Sequence, residues 1–110
     1  MSRDIMQEIE KEVKENKVLL YMKGSPEQPM CGFSFRVVEM LNSVGKPYAY
    51  VNILADEEKR QALKTYSSWP TFPQLYVGGE LLGGCDIVTE MFENKELEPA
   101  LAEAHQEVAQ

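Results

Sequence analysis

The sequence predicts a single α/β domain over residues 1–110, in which helices flank a small mixed sheet of four strands in the order αβαβαββαα. Three observations lead to this class. A chain of 110 residues with 44% hydrophobic content can form one core but not two. Helical and strand-like stretches alternate without repeats or low-complexity tracts. A crossover helix between the first two strands and a later hairpin require both parallel and antiparallel pairing in one sheet.

The first half of the chain alternates helix and strand. Apolar residues at four-residue spacing predict a first helix that ends near Asn16. The apolar run Val18–Met22 is typical of a buried central strand. A second helix is predicted to open at the Cys31 motif and to end at a glycine-lysine-proline stop at residues 45–47. Its predicted apolar face consists of Phe35, Val38, Met40, Leu41 and Val44. Cys31 is therefore expected at a helix N-terminus.

The second half contains a strand, a helix, a hairpin and two closing helices. Asp56 is a plausible N-cap for the helix that follows the second strand. Two adjacent glycines, Gly78 and Gly79, separate short apolar runs and supply the positive φ angles of a tight hairpin turn. The predicted elements are a strand at Tyr48–Ile53, a helix at Asp56–Tyr66, hairpin strands at Gln74–Val77 and Glu80–Gly83, and helices from about Asp86 to Asn94 and from Leu97 to about Val108.

Charge and composition exclude several classes of function. With 18 acidic and 11 basic residues the formal net charge is -7, which opposes binding to nucleic acid or to an anionic membrane. Residues 1–12 carry acids and lysines throughout and lack the apolar core of a secretory signal, so a cytoplasmic location is expected. In that compartment the two cysteines, Cys31 and Cys85, are expected to be thiols and not a disulfide.

The segment Cys31-Gly32-Phe33-Ser34 carries the chemistry. In a Cys-x-x-Cys pair the first sulfur attacks and the second resolves the mixed disulfide. Serine at position 34 leaves one sulfur, whose options are a mixed disulfide with a small thiol or a bond to a metal. Cys31, Cys85 and His105 cannot supply the four ligands of a closed zinc site, so any metal must take ligands from elsewhere. The helix N-terminus and the cation Lys23 favour a thiolate at Cys31.

Four blocks, in order and spacing, resemble the monothiol glutaredoxins of the Cys-Gly-Phe-Ser type. They are Lys23-Gly24-Ser25-Pro26, the Cys31 motif, Trp69-Pro70-Thr71-Phe72-Pro73-Gln74 and Gly83-Gly84-Cys85-Asp86. The similarity covers nearly the whole chain and is greatest to the short bacterial and mitochondrial members. It implies a thioredoxin-like fold and a glutathione site.

The resemblance also implies roles for particular residues. Lys23 contacts the glycine carboxylate of glutathione, and Arg60 and Lys64, on one face of a helix at i and i+4, can grip the same group. Phe72 precedes a cis proline and pairs its backbone with the cysteinyl residue. Thr71 either adds a contact or is an ordinary edge residue. The γ-glutamyl end lies at Cys85 and Asp86, although Asp86 could also be a plain N-cap and Cys85 either a packed thiol or a redox partner of Cys31.

Two functions from different classes follow, with a third left open. A 2Fe–2S cluster needs four ligands, and two chains and two glutathiones would provide them through Cys31 and the glutathione sulfur. This makes the protein a cluster carrier, homodimeric when loaded, with iron–sulfur donor and acceptor apoproteins and BolA-type proteins as partners. The rival is a glutathione-dependent oxidoreductase acting through Cys31, an activity that the family usually performs poorly. The third is a redox sensor that uses Cys31 and Cys85.

Overall fold

Helices and strands alternate as predicted, with one additional short helical turn. The structure is a computed structural model that describes residues 3–106. The helices are α1 (Ile5–Glu15), α2 (Gly32–Val44), α3 (Glu57–Ser67), α4 (Cys85–Glu93) and α5 (Leu97–Gln106). The strands are β1 (Val18–Met22), β2 (Ala49–Asn52), β3 (Gln74–Val77) and β4 (Glu80–Gly83). A 3-10 helix, Ile53–Ala55, joins β2 to α3.

The sheet is mixed and four-stranded, as predicted, with the strand order β2-β1-β3-β4. The crossover through α2 makes β1 and β2 parallel, whereas β3 pairs antiparallel with β1 and with β4. Gly78 and Gly79 both have positive φ, at 63° and 85°, and form the turn between β3 and β4. The order puts β1 in the interior of the sheet, so the loop after β1 leaves from its middle.

Strand β1 is buried on both faces, which explains its unbroken apolar run. Val18, Leu20 and Met22 pack in one hydrophobic cluster with residues of α2, α4 and α5. Leu19 and Tyr21 alternate to the opposite face and pack in a second cluster with residues of α1 and α3. A strand covered on both sides has no polar face to alternate with. The sheet is therefore the middle layer between two layers of helices.

The buried face of α2 differs from the predicted one. Phe35 was expected in the core, but it is 51% exposed. Ser34 lies three residues before Val37 and four residues before Val38, so the three side chains share one face of the helix. Ser34 is completely buried. The buried stripe therefore begins at the serine of the Cys31 motif and excludes the phenylalanine beside it. Apolarity alone could not show this, because the more polar of the two residues is the buried one.

Two element boundaries move because polar side chains cap the helices that follow. β2 ends at Asn52, one residue earlier than predicted, because the Asn52 Oδ1 accepts a hydrogen bond from Leu54 N at 3.0 Å and starts the 3-10 helix. α3 begins at Glu57 because Asp56 is its N-cap, as predicted, and accepts from Lys59 N at 3.1 Å.

The closing helix α5 packs one apolar stripe on the core. Leu97, Leu101 and Ala104 are buried, whereas the predicted end of the helix near Val108 lies outside the described residues. His105, expected to be exposed, is only partly exposed and its Nε2 lies 2.8 Å from the Pro47 carbonyl oxygen. Like every other helix in residues 3–106, α5 lacks the length and apolarity needed to cross a membrane.

An ion cluster joins α1 to α3. We define the α1–α3 ion cluster as Arg3, Glu8, Glu12, Asp56 and Lys59. Lys59 is only 6% exposed, and its Nζ lies 2.9 Å from Glu8 and also hydrogen-bonds Glu12. Arg3 bridges Glu8 and Asp56 at 2.7 Å each. Burial alone would lower the pKa of Lys59, but the hydrogen bonds that its ammonium group donates to Glu12 and Glu8 outweigh burial and raise the pKa. The cluster fixes α3, which carries two of the predicted site cations.

Candidate thiol site and ligand groove

All seven predicted site residues line one open groove of about 470 Å³. The groove lies where the loop after β1, the start of α2, the exposed side of α3, the segment before β3 and the start of α4 meet. A volume of this order is typical of small-molecule sites. Its walls consist of Lys23, Cys31, Phe33, Arg60, Lys64, Trp69, Pro70, Thr71, Phe72, Pro73, Gly84, Cys85 and Asp86. The structure thus brings residues of these distant segments to one groove, while their roles toward a ligand remain predictions.

Cys31 is the N-cap of α2, with the extended backbone angles of φ −158° and ψ 138° that a cap requires. The residue is partly exposed and its sulfur is a free thiol. Partial burial alone would raise the pKa of the Cys31 thiol. The backbone N–H groups of Ser34 and Phe33, the charge of Lys23 and the Ser34 hydroxyl together outweigh burial and lower the pKa below its ordinary value. The thiolate predicted at this helix N-terminus is therefore favoured.

Ser34 has a structural role that the sequence did not reveal. Its side chain is completely buried, and its Oγ accepts a hydrogen bond from the backbone N–H of Lys23 at 3.1 Å. The hydroxyl therefore connects the first turn of α2 to the end of β1. The available signal was its position, since a residue three positions after an N-cap faces the preceding chain.

The three predicted cations all line the groove. Lys23 follows β1, whereas Arg60 and Lys64 extend from α3 with the predicted i, i+4 spacing. Arg60 has one guanidinium nitrogen 3.6 Å from Glu57. Within residues 3–106, its Nε is one of two buried side-chain nitrogen or oxygen atoms that lack a hydrogen-bond partner, and the other is Trp69 Nε1. A buried donor without a partner is costly, so the groove retains unsatisfied binding capacity.

The segment before β3 forms the floor of the groove. The Phe72–Pro73 peptide bond is cis, as the resemblance implied. Gln74 is completely buried, and its Nε2 donates to the carbonyl oxygens of Trp69 and Thr71 at 3.1 and 3.2 Å. These bonds fix the course of the segment that carries Phe72, which is 7% exposed. Thr71 lies at the groove but is itself exposed.

The N-terminus of α4 also contributes to the groove wall. This helix begins at Cys85, and its N-cap is Gly84 with no side-chain cap, so Asp86 lies in the first turn and is not the plain N-cap considered above. Asp86 is exposed, whereas Cys85 is 8% exposed with its sulfur 3.9 Å from Thr89 Oγ1. A Cβ on Gly84 would lie 3.2 Å from Pro73 O and from Trp69 Nε1, so a side chain there would crowd the groove floor.

The described chain cannot enclose a metal by itself. Within residues 3–106, no group of three or more His, Cys, Asp and Glu side chains has the geometry to hold a metal ion. Cys31 is the accessible soft ligand of the groove, and Cys85 is a buried free thiol. A metal centre at Cys31 therefore needs ligands from other molecules.

Comparisons with known proteins agree with this geometry. The family model for glutaredoxin matches residues 18–82. A probable monothiol glutaredoxin 2 from Rickettsia felis is 55% identical over 93 residues, which cover 84% of this chain and 89% of the relative. The solution structure of reduced poplar apo GrxS14 superposes with a TM-score of 0.77 at 49% identity, covering 90% of this chain and 91% of that one. The crystal structure of a buckwheat glutaredoxin–glutathione complex superposes with a TM-score of 0.81 at 25% identity, covering 92% and 90%. These likenesses confirm the thioredoxin-like fold class.

Proposed function

This chain belongs to the glutaredoxin family, in its monothiol branch, and from that membership we propose that it binds glutathione and carries a labile 2Fe–2S cluster between two copies of itself. The cluster is cargo, received from donor proteins and passed to acceptor apoproteins. Disulfide reduction is at most a weak secondary activity. Because both cysteines are free thiols, we propose a cytoplasmic site of action.

The observation that carries the proposal is the lone accessible thiol of Cys31 at the N-terminus of α2. Its pKa is lowered, and metals bind the thiolate form. A 2Fe–2S cluster takes four ligands, and Cys31 supplies one. Two chains and two glutathione sulfurs complete the set, which makes the homodimer dependent on its cargo. A BolA-type protein could take the place of one copy.

The groove has the chemistry that glutathione requires. Lys23, Arg60 and Lys64 offer positive charge for the glycine carboxylate. At the other end, the N-terminus of α4 offers N–H groups and partial positive charge for the γ-glutamyl carboxylate, and Asp86 is exposed to pair with its ammonium group.

The cysteinyl residue, in the middle of glutathione, would lie against the backbone of the protein. The backbone of Phe72 can pair with the cysteinyl residue in the manner of an added strand. Gly84 keeps that part of the floor free of a side chain, because a Cβ there would reach within 3.2 Å of Pro73 O. In this arrangement the two anionic ends of glutathione fix its position, and its sulfur is held beside Cys31. The groove residues thus bind and orient, while Cys31 supplies the bond to iron.

The lowered pKa of Cys31 also supports the rival activity. In that reaction the Cys31 thiolate attacks the glutathione sulfur of a protein–glutathione disulfide, the S–S bond breaks and the protein thiolate leaves. A second glutathione thiolate then displaces Cys31 and releases glutathione disulfide. Both activities require the same thiolate, so the pKa does not separate them. In a sensor that uses Cys31 and Cys85, an external two-electron oxidant would instead take two electrons and two protons from the two thiols and leave one intramolecular disulfide.

Anaerobic reconstitution separates the cluster carrier from the oxidoreductase, whereas the sensor predicts an intramolecular disulfide that forms under mild oxidation and is lost in Cys85→Ser. Iron, sulfide and glutathione should colour the wild-type protein brown and convert it from monomer to dimer on a sizing column. Cys31→Ser should abolish both changes, while the matched control Cys85→Ser should keep them. A colourless wild-type mixture together with fast glutathione-linked disulfide reduction would establish the oxidoreductase instead. Cluster assembly that survives Cys31→Ser but not Cys85→Ser would overturn the ligand assignment.

A further inference from the structure

The peptide units at Lys23 and Gly24 are held by groups from three different parts of the chain. Lys23 N–H donates to Ser34 Oγ at 3.1 Å, and Gly24 N–H donates to Asn52 Oδ1 at 2.9 Å. The Lys23 carbonyl oxygen accepts from Met30 N at 2.9 Å. Lys23 and Gly24 follow the last residue of β1, where no neighbouring strand accepts hydrogen bonds from their N–H groups. Side chains from α2 and from the end of β2 accept these bonds instead.

Gly24 leaves no room for the loop to shift. Its φ is +92°, a region that favours glycine, and a Cβ there would lie 2.5 Å from Gln28 O and 2.8 Å from Met30 N. The loop packs on itself directly after Lys23. The direction in which the Lys23 side chain leaves the backbone is therefore set by these bonds and by this packing.

Ser34 and Asn52 do not line the groove, while Lys23 does. Ser34 is completely buried, and Asn52 also caps the 3-10 helix through Leu54 N at 3.0 Å. The buried Ser34 hydroxyl, on the first turn of α2, accepts a hydrogen bond from the backbone N–H of Lys23. The side chain of Lys23 lines the groove. Cys31 begins that same turn, so the bond couples the position of the cation to the position of the thiol.

We propose that Ser34 and Asn52 are positioning residues that aim the Lys23 ammonium at the glycine carboxylate of glutathione. The inference rests on the proposed function for the identity of the ligand and goes beyond it by assigning a task to Ser34, the fourth position of the motif. Serine suits this task better than cysteine, because a hydroxyl accepts a hydrogen bond from an N–H well and a thiol accepts one weakly. The residue at position 34 therefore does more than remove a resolving thiol.

The test measures glutathione affinity through the fluorescence of Trp69, the only tryptophan, which lines the groove. Two ligands are compared: glutathione, and glutathione whose glycine carboxylate is amidated. Ser34→Ala and Asn52→Ala should each weaken glutathione binding by roughly three- to tenfold, as expected for a misplaced charge-assisted contact. Both should leave the affinity for the amidated ligand unchanged, because it offers no charge for Lys23. Ser43→Ala, an exposed serine on the same helix, is the matched control and should bind both ligands as wild type does.

A double-mutant cycle completes the test. In a Lys23→Met background, Ser34→Ala should have no further effect on glutathione affinity, because the group that it positions is gone. An equal loss of affinity for both ligands, or additive effects with Lys23→Met, would reduce Ser34 to a packing residue and overturn the inference. Wild-type protein that binds neither ligand would instead overturn the proposed function, so the two failures are distinguishable. If Ser34→Ala does not fold, Asn52→Ala carries the same comparison.

Discussion

The positively charged residues of α3 lie in two different environments. Lys59 points to α1, is nearly inaccessible to water and is neutralised by Glu8 and Glu12. Arg60 and Lys64 face the groove, where Arg60 keeps a buried nitrogen without a partner. Charges of the first kind satisfy each other and stabilise the fold, whereas charges of the second kind remain available to a ligand. The cations that line the groove therefore differ from Lys59 in their surroundings and not in their charge.

The largest expected effect comes from breaking the internal pair. Lys59→Met would leave Glu12 without its counter-ion, while Glu8 would keep its ion pair with Arg3 at 2.7 Å. Breaking a fully buried pair typically costs about 3–5 kcal/mol, but the side chains of these carboxylates are 36% and 27% exposed, so we expect a loss of about 2 kcal/mol in the free energy of unfolding. Urea denaturation at neutral pH measures it. Lys64→Met on the same helix is the control and should stay within about 0.5 kcal/mol of wild type.

Substitutions on the groove side of α3 should weaken ligand binding and leave the free energy of unfolding nearly unchanged. Arg60→Met removes the donor without a partner, so glutathione affinity should fall by about tenfold, as for the loss of one charge-assisted contact. Lys64→Met should weaken binding about threefold, because a single flexible ammonium group is a less directional partner. Trp69 fluorescence titration gives both values, and unfolding curves should be nearly unchanged. An Arg60→Met protein that is destabilised as much as Lys59→Met but binds glutathione normally would contradict the assignment of Lys59 to stability and of Arg60 to binding.

The ion cluster should also make stability depend on pH in the acid range. Hydrogen bonds from Arg3, then Lys59, lower the pKa of Glu8 from 4.5 to about 2, and Arg3 does the same for Asp56, from 3.8 to about 2. A lowered folded-state pKa stabilises the fold above the ordinary pKa, and this contribution is lost as pH falls from about 4.5 to about 2. Both carboxylates are partly solvated, so we expect a combined loss of about 1 kcal/mol.

Denaturation measured at pH 7, 4 and 2.5 tests this dependence. Glu8→Gln should be less stable at pH 7 and should show a shallower decline, since one of the two titrating groups is gone. A wild-type stability that stays flat down to pH 2.5 would show that the cluster contributes nothing. The same decline in Glu8→Gln as in wild type would assign the pH dependence to other carboxylates.

Local patterns in the sequence predict the scaffold, whereas the meeting of the distant groove segments is predicted from the resemblance to a family. Strand β1 is apolar throughout, and a strand followed by a loop and a helix brings Lys23 and Cys31 together in any fold of this class. Hairpin glycines and an N-cap at Asp56 are equally local. Each of these features is determined by residues that are close together in the sequence.

The remaining features depend on contacts between distant residues. Nothing local separates Lys59 from Arg60, because their difference arises from where Glu8 and Glu12 lie after folding. Nor does composition show that Ser34 is buried and Phe35 exposed, since the partner of Ser34 is a backbone N–H eleven residues away. Where polar groups satisfy one another across the fold, the periodicity of apolar residues carries no signal.

The smallest expected effect is on the outer surface of α1. Lys11 and Glu15 form a pair at 4.0 Å in which the side chains are 74% and 62% exposed, in the less favourable order for a helix. Lys11→Gln should change the free energy of unfolding by less than about 0.3 kcal/mol, and added salt should erase the difference. Comparing Lys11→Gln with Lys59→Met in one urea series isolates burial as the variable, because each removes one positive charge from an acidic protein. Equal losses would mean that net charge, and not the inaccessible position of Lys59, sets the value of a cation here.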